Sequence, residues 1–264
     1  MSELRSLFEE GVTARAIFEP LYCCLLSDSA VQVREELDRL DFDEVGVTAN
    51  RPEPPQGYVS RTDLQRGRSC AECLREFRYG DLITDSTPLV DVFSALGESN
   101  RCYVLAGRAV TGIVTRADLE KPPVRMMIFG MVTLLEMHLS HLVGRLYPDG
   151  IWQERLATTR LKQAHELLQQ RKERGEDLGL LQCLQFCDKR DLVVASEPGR
   201  EVLEVRSRNH GTAVLKEVED LRNRVAHAQD LISGTDWETI VSLVTCIEQM
   251  IESSEQYLDG ANGV

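Results

Sequence analysis

The segment Gly57-Tyr58-Val59-Ser60-Arg61-Thr62-Asp63-Leu64 returns 55 residues later as Gly112-Ile113-Val114-Thr115-Arg116-Ala117-Asp118-Leu119. A pattern G-x-V-[ST]-R-x-D-L recurring at that distance means one small folding unit used twice, which constrains the fold before any other signal does. Each copy is a short β-rich run closed by a hydroxyl residue, with an acid three positions on and a helix-compatible stretch behind it. Free N–H groups at a helix start suit a phosphate, and the hydroxyl adds a hydrogen bond. A carboxylate can accept from two vicinal sugar hydroxyls. The combination suggests a nucleotide. The plainer alternative makes Ser60 and Thr115 simple N-caps, with the acids only favouring the first turn. Two copies in matching contexts favour a nucleotide-binding pair.

At 264 residues the chain is long enough for two domains, each with its own core. Its net charge of −13 makes it a poor non-specific binder of polyanions, so any nucleic-acid contact must be local. The start, MSELRSLFEE, lacks the basic-then-apolar order of a signal peptide. Met126 to Val143 approaches the length of a membrane span, yet it carries Glu136, His138 and His141. It is read as a helix buried in protein, with no membrane partner and a cytoplasmic location. Eight cysteines in a chain of this size do not read as a disulfide framework. Cys70-x-x-Cys73 is half a zinc site without a second half, so no metal is expected.

The first half reads as two strand–helix–strand–strand–helix copies, about 14–68 and 76–120. In the first, Ser29 precedes a helix with Val31, Val33, Leu37 and Leu40; strands Glu44 to Thr48 and Gly57 to Ser60 follow, then a helix from Arg61. In the second, Thr87 is read as an N-cap and Pro88 as the first helical residue, before a helix over Leu89, Val92, Phe93 and Leu96. Strands Cys102 to Leu105 and Ala109 to Val114 flank an Ala106-Gly107-Arg108 turn. On the two G-x-V-[ST]-R-x-D segments, residues 1–120 resemble a tandem pair of CBS domains. The resemblance implies adenine-nucleotide or adenosyl ligands (AMP, ADP, ATP or S-adenosylmethionine) in clefts between the repeats. It implies Gly57, Ser60 and Asp63 in one site and Gly112, Thr115 and Asp118 in the other, the hydroxyl toward phosphate and the acid on the ribose.

After Lys121-Pro122-Pro123 helix-period patterns fill the chain to 264. Expected helices are Met126–Leu146, Trp152–Arg174, a shorter one within Leu178–Val194, Gly211–Ile232, and Trp237–Leu258 opened by a Thr235-x-x-Glu238 capping box. The fold class is therefore α+β and multi-domain: a βαββα pair over 1–120, then an all-α bundle over 121–264.

On the Gly211–Ile232 helix, Val214, Val218, Leu221, Val225 and Ala228 form one apolar stripe. Asn223 and His227 project together away from it, flanked by Arg222, at a spacing that lets the amide orient the imidazole. Such a cluster is either ordinary solvated surface or half of a site completed across a two-fold axis. An R-x-x-x-x-H pair alone is weak, with roughly a 40% chance of arising at random from 25 Arg and 5 His. With the Asn after the Arg, the small residue before the His and the all-helical setting, 121–264 resembles a HEPN domain. That resemblance implies a homodimeric, metal-independent ribonuclease acting on RNA and leaving a 2′,3′-cyclic phosphate, with no cofactor for catalysis. His227 would be the general acid/base, Arg222 would stabilise the scissile phosphate, and Asn223 would position His227. The whole would be a nucleotide sensor controlling a ribonuclease; stress response or phage defence is the setting the resemblance suggests. Two alternatives stay open: a non-catalytic sensor whose helical domain dimerises and binds RNA or a protein, and a structural dimer with empty sites.

Overall fold

Apolar residues place one short strand and a hairpin in each copy of the repeat, and in each the linking helix makes the first strand pairing parallel. The computed structural model describes residues 11–65, 68–227, 229, 231 and 237–260. The chain divides into two units, one ending at Val124 and the other running from Arg125. The first is mixed α/β and the second helical. In repeat one, β2 (Cys23–Leu25) leads through α1 (Ala30–Leu40) to β3 (Glu44–Thr48), which lies parallel to β2, and β4 (Gly57–Ser60) returns antiparallel. In repeat two, β5 (Leu82–Thr84), α3 (Leu89–Glu98), β6 (Arg101–Ala106) and β7 (Ala109–Thr115) follow the same course. Helix α1 exists because Ala30, Val33 and Leu37 fall on one face and are buried, and it stops where Asp41 turns left-handed. The β6–β7 turn needs φ of +66° at Gly107, which glycine adopts without strain.

The duplication extends well beyond the eight-residue motif, into the segments that lead into each repeat. Residues 12–20 precede repeat one but bond to repeat two: Ala14 N–H to Thr87 O (2.8 Å), Arg15 N–H to Asp85 O (2.9 Å), and Leu89 N–H to Val12 O (3.1 Å). The segment then forms β1 (Glu19–Pro20), antiparallel to β7 with Glu19 opposite Ile113. Residues 68–75, including α2 (Cys70–Cys73), precede repeat two but bond to repeat one. Here Cys70 N–H meets Asp28 O (3.0 Å), Ala71 N–H meets Leu26 O (3.1 Å), Ala30 N–H meets Arg68 O (3.2 Å), and Arg75 lies opposite Tyr58. Bond for bond the two sets correspond. The repeats have exchanged their lead-in segments, so the side-by-side partition at 14–68 and 76–120 is amended: each repeat is completed by the other's leader.

Other boundaries also shift. The stretches after Ser60 and Thr115 are short 3-10 turns, Asp63–Gln65 and Arg116–Glu120, rather than helices, which removes the helix-dipole part of the phosphate expectation. Pro88 rather than Thr87 is the cap of α3, and the Thr87 hydroxyl instead accepts from Thr84 N–H at 2.9 Å.

The second unit contains α4 (Pro122–Leu146, from Arg125 onward), α5 (Thr158–Glu173), α6 (Phe186–Ala195), α7 (Glu197–Val202), α8 (Arg208–Ala226) and α9 (Trp237–Gly260). The expected helix from Trp152 is broken. Pro148–Arg155 is a 3-10 stretch with left-handed Asp149 and Gly150, and Leu156 and Ala157 are extended. Within Leu178–Val194 a 3-10 turn, Leu180–Cys183, precedes α6. The stripe of α8 is Gly211, Leu215, Val218, Leu221 and Val225, with Val214 half-buried. Ala228, Ile232 and Thr235 lie outside the described residues.

Helix α4 is long and apolar enough to cross a membrane by length and composition, the one such helix among the described residues. Over half of its most apolar stretch is buried within the protein. His138 on that helix is 0% exposed, and among the described residues neither ring nitrogen has a hydrogen-bond partner. Burial, with a smaller push from His141, lowers its pKa to about 4. The Glu255 carboxylate, 3.7 Å away, is too far for a hydrogen bond that would offset burial. The native value lies below the unfolded value of about 6.5, so this burial stabilises fully above pH 6.5 and is lost as pH falls toward 4. Between pH 7 and 4, the wild type should therefore lose about 3 kcal/mol more stability than His138→Leu, measured by urea unfolding at each pH. Equal losses would show that the imidazole does not titrate as a buried group.

Candidate functional site

The two copies of the motif set a hydroxyl, an acid and a cation side by side, twice. At the end of β4, the Ser60 hydroxyl donates to Asp63 Oδ2 (2.5 Å) and also accepts from Asp63 N–H (3.2 Å). Arg75 Nη2, on the exchanged leader, donates to Asp63 Oδ1 at 2.5 Å. At the end of β7, the Thr115 N–H and hydroxyl both donate to Asp118 Oδ2 (2.7 and 3.0 Å), forming a capping box. Lys121 Nζ pairs with Asp118 Oδ1 at 2.8 Å, with the Glu19 carboxylate, and with Ile17 O at 2.5 Å. Burial works to raise the Asp63 pKa, but Ser60 and Arg75 together outweigh it and hold the carboxyl below its ordinary value. The acids therefore meet internal cations, and a sugar diol would share or displace those contacts. The cations escape a spacing rule, since Arg75 lies 12 residues after its acid and Lys121 three.

Gly57 and Gly112 occupy matching places for a backbone reason. A Cβ on Gly57 would sit 2.2 Å from Arg75 O, and one on Gly112 would sit 2.3 Å from the Phe18 ring and 2.8 Å from Glu19 O. Both glycines let the exchanged leader cross the hairpin, and that crossing accounts for their recurrence.

Between the repeats, Tyr58 of β4 and Tyr103 of β6 approach with ring centroids 5.1 Å apart, and Phe77 lies edge-on to Tyr103 at 4.7 Å. The Arg101 guanidinium covers both tyrosine rings. It pairs with the Glu44 carboxylate, which also accepts from the Tyr103 hydroxyl at 2.5 Å. Burial raises the Glu44 pKa despite these partners, and burial together with Glu44 raises that of Tyr103. This buried polar group joins repeat one to repeat two. It carries no motif and was not legible in the sequence.

In the helical unit, Arg222 and Asn223 lie in the last turn of α8 and His227 is its C-cap, since the helix ends at Ala226 rather than continuing to 232. Asn223 and His227 are exposed and Arg222 half-buried. The Asn223 amide oxygen accepts from Arg222 Nη2 at 3.1 Å. The contact between Asn223 and His227 is through the backbone, His227 N–H to Asn223 O at 3.0 Å, so the amide does not orient the imidazole as the spacing suggested. Arg222 Nη1 also reaches Glu136 Oε2 at 3.5 Å. All eight cysteines are free. Among the described residues, no group of three or more His, Cys, Asp or Glu could hold a metal ion.

No family model matches the sequence, and no curated protein matches it. Several solved structures are similar over about two fifths of the chain, on its N-terminal side. One is CBSX2 in complex with AMP, at 22% identity, covering 41% of this chain and 93% of that one, with a TM-score of 0.37. Another is the CBS domain pair of protein MJ0100 in complex with 5-methylthioadenosine and S-adenosyl-L-methionine, at 16%, 40%, 95% and 0.35. A third is the CBS domain of a bacterial CNNM/CorC family Mg2+ transporter in complex with ATP, at 14%, 47%, 95% and 0.36. Identities of 22% or less and TM-scores of 0.37 or less assign this chain neither a family nor a ligand.

Proposed function

We propose that the N-terminal unit is a tandem CBS-type module that binds an adenine nucleotide or S-adenosylmethionine, and that the ligand controls a metal-independent endoribonuclease in the helical unit, acting as a homodimer in the cytoplasm. The observation that carries the sensing half is the doubled hydroxyl–acid–cation set: Ser60, Asp63 and Arg75, then Thr115, Asp118 and Lys121. A cation beside a hydroxyl suits a phosphate, and a carboxylate is a ready acceptor for a ribose diol. The catalytic half is supported by half-buried Arg222 beside exposed Asn223 and His227 at one helix end. The guanidinium can face phosphate oxygens while the imidazole exchanges a proton with a ribose hydroxyl.

Calorimetry with AMP, ADP, ATP and S-adenosylmethionine tests the sensing half. Asp63→Ala and Asp118→Ala should each weaken the tightest ligand by roughly 10- to 100-fold at their own site, the size of a lost charge-assisted hydrogen bond. Circular dichroism must show both variants folded. No heat from any of the four ligands with folded wild type would end the sensing proposal.

One observation favours a second function, a non-catalytic sensor whose helical unit binds RNA or a protein. The Asn223 amide oxygen is taken by Arg222, and among the described residues no side chain orients His227. Light scattering and RNA cleavage by the full chain separate the two: a dimer that binds RNA without cutting it fits only the second.

A further inference from the structure

Glu136 of α4 holds two cations from two other helices. Its Oε1 accepts from Lys189 Nζ of α6 at 2.9 Å, and its Oε2 accepts from Arg222 Nη1 of α8 at 3.5 Å. Arg222 in turn gives Nη2 to Asn223. Lys189 is only 5% exposed, and Glu136 is its one ion-pair partner among the described residues. A buried ammonium without a counter-charge costs several kcal/mol, so Lys189 keeps first hold on the carboxylate. The two distances agree, the Lys189 contact being short and the Arg222 contact at the outer limit of a hydrogen bond.

We propose that Glu136 and Lys189 are positioning residues for Arg222: Glu136 aims the guanidinium, and Lys189 keeps Glu136 from neutralising it. This rests on the ribonuclease function proposed above. One carboxylate between two cations leaves a net positive charge. Arg222 is steered through one nitrogen while its remaining N–H groups stay available for the two oxygens of a phosphodiester. Without Lys189, the full charge of Glu136 turns onto Arg222 and closes it as an internal ion pair. Without Glu136, the guanidinium loses its aim and Lys189 is left buried and alone. The two losses act in opposite directions on the Arg222 charge, so together they should partly cancel.

The test is a double-mutant cycle on the full chain, with a fluorescein-labelled single-stranded RNA of mixed sequence as substrate. Lys189→Met should lower kcat by at least ~10-fold with little change in KM, since Arg222 acts on charge that develops in the transition state. Adding Glu136→Gln to Lys189→Met should recover part of that loss, by freeing Arg222 from the carboxylate without restoring its aim. A double variant as slow as Lys189→Met alone, with an unchanged melting temperature, would overturn the proposal, because releasing Arg222 from Glu136 is the step that should restore the rate. A second measurement does not depend on cleavage. The 15Nε–H signal of Arg222 should show slower side-chain rotation in Lys189→Met than in wild type, and faster rotation in Glu136→Gln. Equal rotation in all three would overturn the positioning role even if RNA is cut. Wild type that cuts no RNA while the rotation rates follow this order would retire the ribonuclease function and leave the control of Arg222 standing.

Discussion

Replacing His227 with alanine should cut RNA cleavage by ~10²–10⁴-fold, the range for a lost general acid/base. Arg222→Ala should cost ~10²–10³-fold, as for other groups that stabilise transition-state charge. Neither loss should come from unfolding. His227 is exposed and caps α8 only through its backbone N–H, which alanine keeps. Arg222 makes one long contact to Glu136 and one to its neighbour Asn223. Melting curves should therefore overlay that of wild type within a few degrees. Asn223→Ala should cost less than either, because its side chain bonds Arg222 rather than the imidazole. The expected order is His227, then Arg222, then Asn223, read from initial rates on one labelled RNA. Equal background product from wild type and all three variants would remove the enzyme and leave the sensor.

The second large effect falls on stability. Gly57→Val should destabilise the N-terminal unit by about 4 kcal/mol, at the upper end for single substitutions. The first side-chain carbon already meets the Arg75 carbonyl at 2.2 Å, and a backbone oxygen cannot rotate away as a side chain can. To admit it the leader 68–75 must lift off repeat one, releasing the Tyr58–Arg75 bridge and drawing Arg75 from Asp63. Gly112→Val should act in the same direction but less, since one of its obstacles is the Phe18 ring, which can tilt. Urea midpoints should fall in both, more steeply for Gly57→Val. An unchanged midpoint in Gly57→Val would mean that the exchanged leader is not packed as described.

Local patterns were legible and distant partners were not. The doubled motif announced two equal units, and the alternation around Val45, Val47, Val59 and Val114 placed their strands. The exchange of leaders could not be read, because bonds such as Ala14 to Thr87 join backbone groups that carry no residue signature. The apolar spacing ran on through Ala228, which lies outside the described residues, whereas α8 ends at Ala226. Leu231, 2% exposed, accepts from the Arg224 side chain through its carbonyl. The helix over Trp152–Arg174 failed for a similar reason: Leu156 keeps the apolar rhythm while its backbone is extended. Of the candidate residues, the motif placed Ser60, Asp63, Thr115 and Asp118 in matching geometry but did not reveal their cations. Arg222 and Asn223 lie in the last turn of α8 while His227 is its C-cap, and the link of Arg222 to Glu136 and Lys189 depends on packing among three helices.

The most direct test of the central claim is the initial rate of RNA cleavage by the full chain, measured with and without a saturating adenine nucleotide. Wild type should cut in the presence of EDTA and leave 2′,3′-cyclic phosphate ends. Its rate should change with nucleotide, and that of an Asp63→Ala/Asp118→Ala double variant should not. A rate indistinguishable from that of His227→Ala, with or without nucleotide, would contradict the claim.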